Sequence, residues 1–351
     1  MNKPYDYIIV GGGMAGLSCA YWIKKLKKKV RIAIVEKGEI LNQDAEKQLC
    51  NLTVGSLNHL YRIYKLQGIE AVVEVYKHFE DNLSLLESEL EVLGKNEYVS
   101  LLDGGTINLM EEGSASELGF FQSFVHELTK NDFPIKEIKD DGWKFGVKYS
   151  HDGNYESQSF IDKVWKNVRE NIDVFEKSTC KRIGREIDDI VISTAGGEHI
   201  VGKKIILANS NSLSILLPEL KNELGTVDSM IYKFDAHINN LEFLNYANHK
   251  KDDYFVKLKD GYYYAQHGNL FGKDTALDEE QVGKAFEDFS NKTFPGAEAD
   301  KAVRTKIGYT TSGVPVKGES KKTPNLYYLG GFSGQSKLYA FKMAKDLVET
   351  M

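Results

Sequence analysis

The run Tyr7-Ile8-Ile9-Val10 followed by Gly11-Gly12-Gly13-Met14-Ala15-Gly16 constrains this chain more than any other stretch. The apolar residues read as one buried parallel strand, and the glycines as a turn into the first turn of a helix. Gly11 lets the chain turn off the strand, Gly13 leaves bare backbone for a pyrophosphate, and Gly16 lets the helix lie close on the sheet. The helix N-terminus then offers free N–H groups and a partial positive charge to phosphates. In residues 17–26, Leu17, Ala20, Ile23 and Leu26 recur as a buried stripe would. Lys24, Lys25, Lys27, Lys28 and Lys29 crowd its end, where cations are favoured by the helix dipole. A second strand, residues 30–35, ends at Glu36, twenty positions after Gly16, where a carboxylate accepts hydrogen bonds from both ribose hydroxyls. Together these are the opening of a dinucleotide-binding βαβ unit.

A length of 351 residues suggests two domains, or one large α/β domain with insertions, and the 42% apolar content is enough to bury both. The net charge of −6 weighs against nucleic acid as a partner and favours a small-molecule enzyme. Cys19, Cys50 and Cys180 are an odd number without metal-ligand spacing, which predicts no metal site and no disulfide framework. No window offers about 18 to 20 uncharged apolar residues for a membrane span, so the chain reads as cytoplasmic.

Residues 42–58 return toward the nucleotide turn and bring Asn51, Gly55, Ser56 and Asn58 near a cofactor, or else form an ordinary loop and helix cap. His59 beside that helix reads as structural. Residues 68–93 show a helical apolar face, Val72, Val75, Phe79, Leu83, Leu86 and Leu90, with charges opposite. Strands and a further helix follow to residue 128, then an extended run at 143–147 and an amphipathic helix at 160–168. A hairpin at 190–201 leads into a buried strand at 204–208. Tyr262, Tyr263 and Tyr264 alternate faces on a strand, so Tyr263 opposes the other two, and either face packs or meets substrate.

The C-terminal passage repeats the opening design. Residues 325–329 read as a strand, Gly330-Gly331-Phe332-Ser333-Gly334-Gln335 as a glycine turn, and 338–348 as a helix. One dinucleotide needs one pyrophosphate cradle. The second therefore holds another phosphate, or faces the negative charge that a reduced flavin carries at N1 and C2=O.

The segment YDYIIVGGGMAGLSCAYWIKK with VRIAIVEKG, taken together with PNLYYLGGFSGQSKLYAFKMAKDL, resembles the D-amino-acid oxidase family of FAD-dependent oxidoreductases, which includes glycine and sarcosine oxidases. The resemblance implies an α/β fold: a Rossmann-like FAD-binding domain (residues 1–70, 145–220 and 300–351) and an α+β substrate domain on an antiparallel sheet (71–144 and 221–299). It implies FAD held non-covalently, with the pyrophosphate at Gly11 to Gly16, the ribose at Glu36, adenine near Lys37 and Cys180, and the isoalloxazine near Gly331, Phe332, Ser333, Gly334 and Gln335. Family members take a hydride from the α-carbon of an amine or amino acid onto flavin N5 and release an imine that hydrolyses. The acceptor is then oxygen or an electron carrier.

Departures from the family pattern bear on the substrate. Ile307 stands where related oxidases carry a carboxylate-gripping arginine, and near the place of the cysteine that carries covalent flavin. Phe271 falls at the oxygen-activating lysine. Asn209-Ser210 replaces a glycine after the 204–208 strand. Arg304, Lys306 and Lys337 are the cations left to bind a carboxylate, and Tyr262, Tyr264, His267, Arg304 and Lys337 are the substrate-side candidates. Two other readings remain open: a flavin dehydrogenase or monooxygenase acting on another small metabolite, and a flavoprotein of tRNA modification, which shares this fold.

Overall fold

The computed structural model describes residues 3–40, 51–52, 57–90, 99–101, 106–110, 115–130, 135–138, 145–149, 153–155, 157–186, 189–209, 212–234, 245–248, 253–258, 261–267, 278–293 and 299–351. Two eight-stranded sheets organise them. In the first, Ile32–Val35, Tyr5–Val10, His199–Leu207 and Leu326–Gly330 lie side by side, all parallel. Ile172–Phe175 extends this set on one side in parallel, and the hairpin Cys180–Glu186 with Asp189–Thr194 joins His199–Leu207 antiparallel. Val316–Glu319 closes the other edge beside Leu326–Gly330.

The opening strand is apolar on consecutive residues because both faces of this sheet are covered. Tyr7 and Ile9, with Ile32 and Ile34, point into a core shared with the helices Met14–Leu26 and Ser336–Thr350. Ile8 and Val10, with Ala33 and Val35, point the other way, onto Ile190, Leu213, Leu217 and Leu220. The first and last helices pack directly, and the buried Trp22 indole donates to the Phe341 carbonyl at 2.9 Å.

The second sheet contains Leu224–Phe234, Gly261–His267, Asp253–Leu258 and Asn245–Asn248, with Ala299–Thr310 antiparallel along the whole of Leu224–Phe234. Thr106–Met110, Phe145–Tyr149 and Ile135–Ile138 complete it. The fold is therefore the expected one: a Rossmann-like parallel sheet beside a separate antiparallel sheet. Phe145–Tyr149 and Ala299–Thr310, which begin two of the expected cofactor-domain segments, pair within the antiparallel sheet. Helix Ile69–Leu90, most of it in the expected substrate domain, packs on the final helix of the parallel-sheet unit.

Asn82 fixes that last contact. Its fully buried side chain donates to the Lys337 carbonyl at 2.8 Å and accepts from the Lys342 N–H at 2.9 Å. Removing the amide leaves one buried and one part-buried backbone group without this partner. Asn82→Leu should destabilise the protein by about 1–3 kcal/mol in urea unfolding, and an unchanged midpoint would show that the bridge contributes nothing.

Candidate active site

Both glycine turns leave the same edge of the parallel sheet, the carboxyl ends of its strands, where open α/β sheets bind ligands. At the first turn the close approach is enforced by Gly16. A Cβ there would lie 1.8 Å from the Gly11 carbonyl oxygen, so only glycine lets the helix pack on the strand end. Gly13 caps the helix with no side-chain bond to its free N–H groups, and the first turn holds no acidic residue. Met14 and Ala15 are buried in that turn.

The Glu36 carboxylate stands between this turn and the loop after the second strand. It accepts from the Gly12 N–H at 2.7 Å and the Gly38 N–H at 2.8 Å and is 8% exposed. Two carboxylate oxygens retain lone pairs for further donors. The Glu36 and Gly38 carbonyls accept from Ser178 and Lys177, which brings the strand starting at Cys180 alongside. Lys37 is exposed at this end, and burial pushes the Cys180 thiol up to about 11.

The second turn is more strained. Gly331, Ser333 and Gly334 have φ of 75°, 52° and 81°, and a Cβ on Gly331 would lie 2.4 Å from Thr310 Cγ2. Gln335 caps the final helix without a side-chain bond, again with no acid in the first turn. The turn is tied to the antiparallel sheet: the Ser333 N–H donates to the Gly308 carbonyl at 2.9 Å, and Phe332 forms a bridge with Tyr309. The Ser333 hydroxyl is buried and, among the described residues, has no hydrogen-bond partner. Lys337, 5% exposed, lies in the first turn of the helix that follows.

Arg304 is placed differently. Its guanidinium bonds Asp228 at 2.7 Å and Glu279 at 2.8 Å, and Lys306 bonds the same Asp228 at 2.7 Å. Those two cations hold the Asp228 carboxyl below the usual carboxylate range. On this face Tyr232 stacks on Phe286 of the helix Glu279–Thr293, with ring centroids 5.0 Å apart. In the register, residues 262 and 264 stand opposite Phe234 and Tyr232, at positions of this helix-covered face. Residues 263 and 267 stand opposite Lys233 and Ser229, at positions of the other face, with Thr305 and Ile307. The structure thus brings Lys337 to the second turn with Gly331 to Gln335, and does not bring Arg304 there. Phe271, Gly55 and Ser56 lie outside the described residues.

A buried polar chain runs behind the second turn. Arg62 donates to His59 Nδ1 at 3.1 Å, and His59 Nε2 meets the Tyr339 hydroxyl at 2.8 Å. Guanidinium cannot accept, so Nδ1 is the unprotonated nitrogen and Nε2–H donates to Tyr339. Burial, then the Arg62 charge, holds the His59 pKa well below its usual range. The Tyr339 ring in turn lies 6.5 Å from that of Phe332. The local signal for this chain was the spacing of His59 and Arg62 on one helix. Nothing local pointed to Tyr339, 280 residues away.

The family model for DAO, FAD dependent oxidoreductase, matches residues 6–350. The search of curated proteins finds no match. Among solved structures the chain is similar to glycine oxidase from Geobacillus kaustophilus, at 16% identity and a TM-score of 0.78, covering 99% of this chain and 95% of that one. It is similar to L-proline dehydrogenase from P. horikoshii, at 15% identity and a TM-score of 0.76, covering 99% and 93%. A third likeness is to L-amino acid deaminase from Proteus myxofaciens, at 12% identity and a TM-score of 0.75, covering 100% and 91%. These likenesses show the fold. Among the described residues no helix is long and apolar enough to cross a membrane.

The neutral His59 carries a pH dependence. Its folded pKa is depressed, so below the unfolded value of about 6.5 the unfolded chain binds the extra proton and stability falls as pH falls. Between pH 6 and 5, His59→Gln should flatten the fall in unfolding free energy by up to about 1.4 kcal/mol per pH unit. Parallel profiles for the two proteins would mean that the imidazole titrates normally.

Proposed function

Because the chain belongs to the DAO family of FAD-dependent oxidoreductases, we propose that it oxidises a small amine or amino acid at the α-carbon, giving an imine that hydrolyses. FAD, when bound, supplies the hydride acceptor at flavin N5. The residues present fit it. Two helix N-termini without side-chain caps, the glycine cradle at Gly11 to Gly16 and the unpartnered Ser333 hydroxyl all meet at one sheet edge. Gly11, Gly13, Met14, Ala15 and Gly16 would hold the pyrophosphate, Glu36 the ribose, Lys37 and Cys180 would flank the adenine, and Gly331 to Gln335 would hold the ring.

One observation carries the substrate side of this reading: the strand Ala299–Thr310 is tied by its edge to the second turn through Gly308 and Tyr309, which brings the end of the antiparallel sheet beside that turn. A substrate held between them has its α-carbon against the ring, and orientation of this kind accounts for much of such a reaction. The activities named for the similar structures, glycine oxidase, L-proline dehydrogenase and L-amino acid deaminase, support an amino acid or related amine. Lys337, in the first turn of the helix that follows the second glycine turn, is the cation we assign to a substrate carboxylate by its position. His267 is assigned to the substrate side by its register position opposite Ser229, and Ile307 supplies an apolar wall. Tyr262 and Tyr264 stand at register positions of the helix-covered face, away from that side. Oxygen or an electron carrier completes the turnover.

Anaerobic mixing of the holoprotein with a panel of amines and amino acids should bleach the flavin absorbance with at least one of them. Bleaching only by another class, such as hydroxy acids, would overturn the reading. Peroxide yield on admitting air then separates oxygen from a carrier. For a substrate found in this way that bears a carboxylate, Lys337→Met should weaken binding by about tenfold or more, read as the concentration giving half-maximal anaerobic bleaching rate. An unchanged value would remove Lys337 from the carboxylate site.

A further inference from the structure

Across the carboxyl edge of the parallel sheet the strand ends follow a fixed order. Val35 pairs with Val10, Val10 with Leu207 and Leu207 with Tyr328, so the edge presents Glu36, Gly11, then Ala208 and Asn209, then the turn at Gly331. With about 4.8 Å between strands, three spacings make roughly 14 Å. A dinucleotide with its ribose at Glu36, its diphosphate at Gly11 and its ring at Gly331 therefore crosses the end of the middle strand, where Asn209 stands.

Asn209 Oδ1 is shielded from solvent and, among the described residues, has no hydrogen-bond partner. The residue is packed hard on the cradle: a Cβ built on Gly11 would lie 3.2 Å from the Asn209 Cα. Its backbone carbonyl already accepts from the Ser212 N–H at 3.1 Å. A buried amide oxygen left unpaired is destabilising, and such groups in native structures call for a partner or a function. The order along the edge identifies the partner's chemistry. The diphosphate offers only acceptors at neutral pH, whereas the ribityl chain between diphosphate and ring is a row of hydroxyl donors.

We infer that Asn209 Oδ1 accepts a hydrogen bond from a ribityl hydroxyl of bound FAD, which makes Asn209 a positioning residue between the two cradles. This rests on the family's use of FAD and adds a contact to the cofactor site proposed above. An amide turned the other way would instead donate Nδ2–H to the diphosphate, and the test separates the two.

The test measures FAD binding to apoprotein by quenching of flavin fluorescence, with FAD and with analogues lacking one ribityl hydroxyl each. Asn209→Ala should weaken FAD binding about five- to tenfold. For one analogue, wild type and variant should bind alike, because the hydroxyl and its acceptor are then both gone. Equal weakening by the substitution for FAD and for every analogue would overturn the inference and indicate a diphosphate contact. Urea unfolding of the apoprotein is the second readout. Removing an unpaired buried group should leave the midpoint unchanged or raised, and a fall matching the lost FAD affinity would show a merely structural role and also overturn the inference. Failure of the wild type itself to bind FAD would refute the cofactor site as a whole, a result distinct from any of these.

Discussion

The strand His199–Leu207 holds the two ends of the chain together. The opening strand pairs with it in parallel on one side and Leu326–Gly330 on the other, in the register Val10, Leu207, Tyr328. Parallel neighbours point their carboxyl ends the same way, so the two glycine turns must emerge at one edge. The helices that follow start at that edge, and both run back over the face of Tyr7 and Ile9. They meet through Trp22 and Phe341, and their N-termini lie at one sheet edge.

The antiparallel sheet is joined to this frame by one long strand. Ala299–Thr310 pairs along Leu224–Phe234 over most of its length, and near its end it meets the second turn through Gly308 and Tyr309. Alternation along the strand then sorts side chains by face. Arg304 and Lys306 converge on Asp228 beside the helix Glu279–Thr293, while Thr305 and Ile307 occupy the alternate positions, on the other face. Arg304, which bonds Asp228 of the sheet and Glu279 of the helix, helps fix the helix to the sheet.

Much of the frame was legible in the sequence because its causes are local. Unbroken apolar runs marked strands covered on both faces, and glycines marked the two turns; the carboxylate twenty residues after Gly16 marked a strand end. The role of Gly16 could be named in advance because the spacing of the motif encodes the close approach. What could not be read was pairing at a distance. Arg304 and Lys337 looked equivalent as cations, but the register with Met230 and the ion pairs with Asp228 and Glu279 put Arg304 on the helix-covered face, while Lys337 lies buried in the first turn of the final helix. His59 read as structural, but its bonds to Arg62 and Tyr339 depend on helices far apart in the chain. Asn209-Ser210 read only as a departure from a glycine, whereas the fold shields Asn209 Oδ1 there with no partner among the described residues.

The second turn also explains why the final helix is held so firmly. Ser333, a non-glycine residue at φ 52° whose buried hydroxyl has no partner among the described residues, raises the energy of the turn. Strain of that kind persists only where surrounding contacts over-determine it. Here they lie along the helix itself: Asn82 grips the Lys337 carbonyl and the Lys342 N–H, Trp22 grips the Phe341 carbonyl, and Asp346 pairs with both Lys317 and Lys342. Lys204 reaches the carbonyl of Met351 at the far end. Several of these partners come from elements distant in sequence, so the helix cannot relax the turn by shifting along its axis without breaking several bonds at once. A turn that is costly in isolation thereby keeps one shape, and with it the backbone N–H groups at the N-terminus of the final helix keep one arrangement.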